Sequence, residues 1–337
     1  MKTEIQSTTS PNDRASAITH AVALLRAGEI VALPTETVYG LAADALSAEA
    51  VVKIFETKDR PRFDPLIVHL PALEWLPRLA VVNEESRELV ESLVDSFWPG
   101  PLTLVLPRTD LVPSIVTAGL ETIALRMSSN PLFAEVVQTF GRPLAAPSAN
   151  RFGRISPTAA AHVAEELSER IPLILDGGAT HHGIESTVIA PRADGIEILR
   201  SGPITREELA KFGEVRASSL GKTESPGQLP SHYRPQTPLM IAENLSAISP
   251  PTGKRYGALL WSDAPLSETF VELRRLSTTA KMREAAANLF RLLRELDHAH
   301  LDLIVAEAVP EEGLGVAIMD RLRRAAHGGG EEVRHLT

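Results

Sequence analysis

Residues 30–70 read IVALPTETVYGLAADALSAEAVVKIFETKDRPRFDPLIVHL, and this stretch decides the fold class. Its opening, Ile30-Val31-Ala32-Leu33, is a short β-branched run closed by Pro34, the pattern of a strand buried on both faces. Hydroxyls on Thr35, Thr37 and Tyr39 and the carboxyl of Glu36 follow at once, and Gly40 is expected to supply a sharp turn. A polar cluster at a strand end is where an open α/β sheet presents ligands. Ser47 reads as the N-cap of a helix carrying Val51, Val52, Ile54 and Phe55, which delivers Lys58 at its C-terminal end. Lys58, Arg60 and Arg62 place three cations within five residues, on a loop that Pro61 and Pro65 keep out of helix, a shape suited to an anion. Residues 66–70 form a second buried strand, with His69 inside it.

Outward from this stretch the alternation continues. Residues 13–27 present Ile18, Val22 and Leu25 on one helical face, with Gly28 as the stop. Residues 83–97 read as a helix, Trp98-Pro99-Gly100-Pro101 as a rigid corner, and 102–106 as a strand. The strand 122–127 sets Thr122 and Arg126 on one face of the pleat, and an arginine inside an otherwise apolar strand calls for an anion. A helix over 131–140, stopped by Gly141, leads to Leu144-Ala145-Ala146-Pro147-Ser148-Ala149-Asn150, a strand end and a small-residue loop. Ser156 is expected to cap a following helix with Pro157 at its first position, so that the loop offers free backbone amides to a phosphate. Residues 173–175 end in Asp176-Gly177-Gly178, residues 185–189 open another strand around Ser186, and 196–199 hand Arg200 to Ser201-Gly202-Pro203. Thr205 with Glu208 makes a capping box for a closing helix.

Strands and helices in alternation predict one α/β domain over residues 1–210, a linker over 211–238 and a smaller α/β domain over 239–337. The strands expected in the last are 239–242, 257–261 and 303–306, with Met282, Ala286, Leu289, Phe290 and Leu293 at helical spacing between them. A length of 337 residues itself favours two domains, and a net charge of −9 argues against a surface made for indiscriminate nucleic-acid binding. The absence of cysteine excludes disulfides and thiolate metal sites. No apolar run is long enough to span a bilayer and the polar N-terminal stretch lacks the core of a secretory signal, so a cytoplasmic protein without membrane contact is expected.

The motifs PTETVYGL, KDRPRFDPLIVH, WPGPLT, TAGLETIALR, APSAN, DGG and GIESTVI, in this order, resemble those of the YrdC-type threonylcarbamoyl-AMP synthases. SPGQLPSHYRP followed by a second α/β unit resembles the longer, two-domain form. The resemblance implies a twisted mixed sheet with flanking helices around a concave site, and a Rossmann-like C-terminal domain. It implies a reaction in which L-threonine, bicarbonate or CO2, and ATP give threonylcarbamoyl-AMP and pyrophosphate. The adenylate then serves the modification of adenosine beside the tRNA anticodon, through threonylcarbamoyl transferase partner proteins. Lys58, Arg60, Ser148 and Asn150 match the family's basic and polar tetrad. Threonine is assigned by the resemblance to Thr37, His69, Arg126, Ser186 and the backbone at Ala146. ATP falls to Arg60, Asp64, Thr122, Ser148, Ser156, Arg200 and Tyr233, the last a linker tyrosine reaching back over the nucleotide. Asp64 stands where relatives are expected to carry a smaller or amide residue. Mg2+ is expected with ATP.

The chemistry suits these residue types. A carbamate oxygen attacking the α-phosphorus brings an anion to a polyanion, so cations and backbone donors that neutralise and align matter more than a nucleophile. The planar guanidinium of Arg126 fits a carboxylate held at two points. No G-x-x-x-x-G-K-S/T loop is present, which argues against an ordinary P-loop ATPase. Each residue also has an ordinary structural use: Lys58 and Arg60 on a solvated loop, His69 as a core histidine, Ser148 and Asn150 in a turn, Ser156 as a cap. Two competing functions are a non-catalytic RNA-binding or ribosome-associated module and a carbamoyl-transfer step of hydrogenase maturation. The acidic balance weighs against the first and the lack of zinc-finger cysteines against the second. Ser225-Pro226-Gly227-Gln228 and His232-Tyr233-Arg234-Pro235 are more specified than a spacer requires and predict a lid over the bound nucleotide.

Overall fold

In the computed structural model, which describes residues 2–218, 232–261 and 270–327, Pro34 ends the first buried run and the chain reverses over residues 35–38. Gly40, expected to make that turn, lies inside the returning strand. It pairs with Leu33 on one side and bridges Ser148 on the other, and a Cβ there would sit 3.2 Å from the Ala146 Cβ. The missing side chain serves close strand approach and not a turn.

Two units divide the chain. Among the described residues the first holds 2–152, 157–181 and 185–218. Its strands are β1 (Glu4–Ser7), β2 (Val31–Pro34), β3 (Tyr39–Asp44), β4 (Ile67–His69), β5 (Leu102–Pro107), β6 (Thr122–Arg126), β7 (Leu144–Ala145), β8 (Leu173–Asp176), β9 (Thr187–Arg192), β10 (Gly195–Arg200) and β11 (Val215–Ala217). They form one mixed sheet in the order β1-β8-β2-β3-β7-β4-β6-β5-β9-β10-β11. β4 runs parallel to β6 and β5 to β9, whereas β2/β3, β3/β7, β4/β7 and β5/β6 are antiparallel. β11 falls in the stretch read as linker; it pairs with β10 in parallel, so the first unit continues past residue 210.

The helix Pro11–Arg26 is capped by Ser10, whose side chain accepts from Asp13 N, and Gly28 follows its end at φ +74°. Ser47 caps Ala48–Lys58 as expected. One face of the sheet packs on Pro11–Arg26 and Pro131–Phe140 through Ala21, Leu25, Phe133 and Val137. The other packs on Ala48–Lys58, Arg87–Phe97 and Ala160–Leu167 through Ile54, Leu93 and Val163. A third apolar group, Ile67, Val105, Ala124, Val188, Ala190 and Leu199, is contributed by strands alone. Strand alternation puts it on the same face as Leu144, the partner of His69 in the β4/β7 register. Ser156 caps no helix: the Pro157 carbonyl is tied to Tyr39 N at 2.8 Å, and the next helix starts only at Ala160, behind Ala159. No helix N-terminus therefore follows directly on the loop around Ser148 and Asn150.

The second unit holds residues 153–156, 182–184, 232–261 and 270–327 of those described. Its strands β12 (Leu239–Ala242), β13 (Tyr256–Leu260), β14 (Glu272–Arg275) and β15 (Leu303–Glu307) form a parallel sheet in the order β12-β15-β13-β14. The helices Met282–Asp297 and Leu314–Ala326 accompany it. Tyr233 adopts φ +63° and stacks on Phe290, ring centroids 5.2 Å apart. The linker residues Ser225 to Gln228 lie outside the described residues. No helix among the described residues is long and apolar enough to cross a membrane.

Candidate active site

The sheet face carrying the strand-only apolar group turns polar at one end. His69 and Arg126 close β4 and β6 and are register partners. Thr103 in β5 and Ser186, immediately before β9, come next along the same edge. From the opposite side the turn after β2 presents Glu36 and Thr37. Thr35 fixes that turn: its Oγ1 accepts from the amides of Thr37 and Val38 and donates to the Val38 carbonyl at 2.7 Å.

Arg126 is 3% exposed, and its Nη2 lies 2.8 Å from Glu36 Oε1 and donates to Thr37 Oγ1 at 3.1 Å. Ser128 Oγ donates to the other Glu36 oxygen. The anion that an apolar strand's arginine calls for is thus Glu36, inside the quoted stretch but not recognisable as a partner until β6 and the turn are brought together. Two buried nitrogens at this end, Arg126 Nε and His69 Nδ1, have no hydrogen-bond partner. Leaving such groups unmet costs about 1–3 kcal/mol each, which makes this end a candidate place for a polar ligand. His69 packs on Phe133 with ring centroids 4.6 Å apart. Burial, and then the Arg126 charge, hold its pKa well below the ordinary value, so the ring is neutral at pH 7.

Ser186 Oγ lies 2.8 Å from Thr103 Oγ1 and accepts from Arg200 Nη2 at 3.0 Å. Arg200 also donates to the Ser186 carbonyl from Nε at 3.1 Å and Nη2 at 3.0 Å. Gly202 permits this: a Cβ there would stand 2.4 Å from Thr187 N and 2.6 Å from Glu185 O. Thr122 sits at the far end of β6 on the face of Arg126, about 13 Å away at the usual strand rise. Ala124 and its apolar neighbours fill the interval.

The tetrad gathers on the other flank of β3. Lys58, 1% exposed, donates from Nζ to the Ser148 carbonyl at 2.5 Å and to the Asn150 carbonyl, while Phe152 N returns a bond to the Lys58 carbonyl at 2.8 Å. Two of the three ammonium donors thereby clamp the loop 148–150. Burial, followed by the nearby Arg60 charge, pushes Lys58 down to about 7. Arg60 pairs with Asp64 at 2.8 Å and donates to the carbonyls of Asp64 and Pro65 at 3.2 and 2.8 Å. Asp64 therefore has a defined place, as the carboxylate of its own loop's arginine. Asn150 Nδ2 donates to the Arg151 carbonyl at 2.8 Å, and Ala146 N to the Ile67 carbonyl at 3.0 Å, beside the strand that ends at His69. Ser156 and Tyr233 belong to the second unit, where both are buried. Ser128 and Thr103 join the candidate site without having been singled out in the sequence, and Glu36 was read there only as one member of the polar cluster after the first strand; the PTET and WPGPLT motifs held the signal for Glu36 and Thr103, and nothing local marked Ser128. Among the described residues no group of three or more His, Asp or Glu side chains could hold a metal ion.

Residues 23–202 match the Sua5/YciO/YrdC family model, described as "Telomere recombination", and residues 204–327 match the Sua5 C-terminal model, described as "Threonylcarbamoyl-AMP synthase, C-terminal domain". The threonylcarbamoyl-AMP synthase of Pyrococcus abyssi is 41% identical, over 91% of this chain and 93% of the relative. That of Bacillus subtilis is also 41% identical, over 92% and 93%. The crystal structure of P. abyssi Sua5 complexed with L-threonine is similar with a TM-score of 0.87 at 38% identity, covering 96% of this chain and 98% of that one. With both family models matched in order and a fold shared over nearly its whole length, the chain belongs to the threonylcarbamoyl-AMP synthase family, in its two-domain form.

Proposed function

We infer that this chain forms threonylcarbamoyl-AMP and pyrophosphate from L-threonine, bicarbonate or CO2, and ATP, on the sheet face of the first unit. One observation carries the reading: the unmet buried nitrogens of Arg126 and His69 stand beside the hydroxyls of Thr37 and Ser186, at one end of an apolar strip that reaches Thr122. The polar end suits an amino acid, with its carboxylate on Arg126 and its hydroxyl against the neutral ring of His69. The strip suits an uncharged ring such as adenine, with Thr122 beyond it.

Threonine's amine must bond to the carbon of CO2, supplied by bicarbonate with loss of water, and shed a proton. A carbamate oxygen then attacks the α-phosphorus and the bond to pyrophosphate breaks, so the protein needs no covalent intermediate. Lys58, with one ammonium donor beyond its two carbonyls, and Arg60 would hold phosphate oxygens, while Ser148 and Asn150 position them. Asp64 orients Arg60, and Arg200 fixes Ser186 next to the nucleotide side. Mg2+ would arrive on the ATP phosphates, because the described residues offer no cage for it and the Asp64 carboxylate is engaged with Arg60. The unstable adenylate must pass to a tRNA-modifying transferase. The test is pyrophosphate release by purified protein: it should require threonine, bicarbonate and ATP together. Release without threonine, or none with all three present, would sink the reading.

A further inference from the structure

Glu36 stands in the centre of the polar end, yet nothing above gives it a part in the reaction. Its carboxylate is 6% exposed, one oxygen 2.8 Å from Arg126 Nη2 and the other receiving Ser128 Oγ. Ser128 Oγ in turn accepts from Asn130 N, and Asn130 Oδ1 caps the helix Pro131–Phe140 by accepting from the amides of Leu132 and Phe133. Phe133 is the residue on which His69 packs. One connected set of contacts therefore runs from the guanidinium of Arg126, through Glu36, to the ring backing His69. Burial of a guanidinium without a partner is costly; Nη2 is ion-paired with Glu36 and donates to Thr37, which leaves Nε as a fully buried donor without a hydrogen-bond partner.

We propose that Glu36 is a positioning residue for the substrate's carboxylate, acting through Arg126. It holds the guanidinium in one plane so that Nε meets the incoming group, and it offsets enough of the cation's charge that the pocket does not retain any small anion. The role rests on the reading of this end as the threonine subsite. It differs from plain structural support, because its loss should fall on one substrate only.

The experiment compares the wild type with Glu36→Ala and Glu36→Gln, by threonine and ATP titrations of pyrophosphate release and by calorimetric binding of threonine. Glu36→Ala should raise the threonine requirement by about tenfold or more, the scale on which losing a charge-assisted alignment is felt, while the ATP requirement stays within about twofold. Glu36→Gln should recover a good part of the loss, because an amide can still accept from Arg126 and donate to Ser128. Ser128→Ala, which removes only the second anchor, should move the threonine requirement in the same direction by roughly threefold and guards against a Glu36→Ala protein that does not fold. A threonine requirement unchanged in Glu36→Ala, an equal loss for both substrates, or glutamine no better than alanine overturns the inference. A wild type that binds no threonine overturns the functional reading and this inference with it; threonine bound equally by wild type and Glu36→Ala overturns the inference alone.

Discussion

If Lys58 holds a phosphate of ATP, as proposed, proton uptake should accompany nucleotide binding, and the size of the effect follows from the lysine's surroundings. Its ammonium is buried, spends two donors on the Ser148 and Asn150 carbonyls, and has a pKa pushed down to about 7 from an ordinary 10.5. A triphosphate at the third donor would favour the charged form and raise the value again. At pH 8 about a tenth of the free protein carries the proton, whereas nearly all of the ATP complex would, so binding should take up close to one proton per ATP, about 0.9. ATP affinity should then fall by up to about tenfold per pH unit above neutrality, or ~1.4 kcal/mol. The phosphate's own ionisation lies near about 6 and is complete at pH 8. Calorimetric titration of ATP into the protein at pH 8, in two buffers of different protonation enthalpy, reads the uptake directly. Lys58→Met should abolish it. Equal binding enthalpies in both buffers for the wild type, with ATP bound, would refute the placement of a phosphate against Lys58.

Other outcomes follow from the same contacts. Because the Lys58 value is lowered on folding, the unfolded chain holds more protons between about 7 and 10.5; stability should rise with pH across that window, and Lys58→Met should flatten the rise in denaturant midpoint. His69 is likewise held below its ordinary 6.5, so stability should be lost as pH falls below about 6.5, by up to ~1.4 kcal/mol per unit, with the slope reduced in His69→Asn. Arg126→Lys should raise the threonine requirement far more than the ATP requirement, since lysine lacks the planar fork; equal effects would move Arg126 to the nucleotide side. Gly202→Ala would drive a Cβ into the backbone of Glu185 and Thr187 and should cost roughly 1–3 kcal/mol in a thermal melt while lowering turnover; unchanged melting would show that the segment carrying Ser186 yields freely.

Local chemistry was legible wherever a residue's partner is near in sequence. Ser47 as a cap, Gly28 as a stop, Thr205 with Glu208 as a capping box and the buried runs of β2, β4 and β6 all depend on neighbours within a few positions. What failed depends on distant strands. Gly40 looked like a turn because glycine's usual reason for use is local, yet here the reason is Ala146 and Ser148 alongside it. Ser156 looked like a cap because a proline follows, but the carbonyl of that proline is claimed by Tyr39 of β3. β14 escaped notice because its residues are only half-buried and three of its four, Glu272, Arg274 and Arg275, are charged, so no apolar run marks it.

The candidate site shows the same boundary from the side of function. Its cations could be counted in sequence, but not what each already holds. Lys58 is bound to carbonyls ninety residues on, Arg60 to the Asp64 carboxylate within its loop, and Arg126 to a glutamate in the turn after β2. A buried cation with every donor satisfied stabilises the fold and binds nothing, so what marks this face as a site is the remainder. Arg126 Nε and His69 Nδ1 are buried and unmet, at a place where the protein supplies two hydroxyls and a floor of strand side chains. A ligand bearing a carboxylate and a hydroxyl would complete both, which is what the proposed threonine subsite requires.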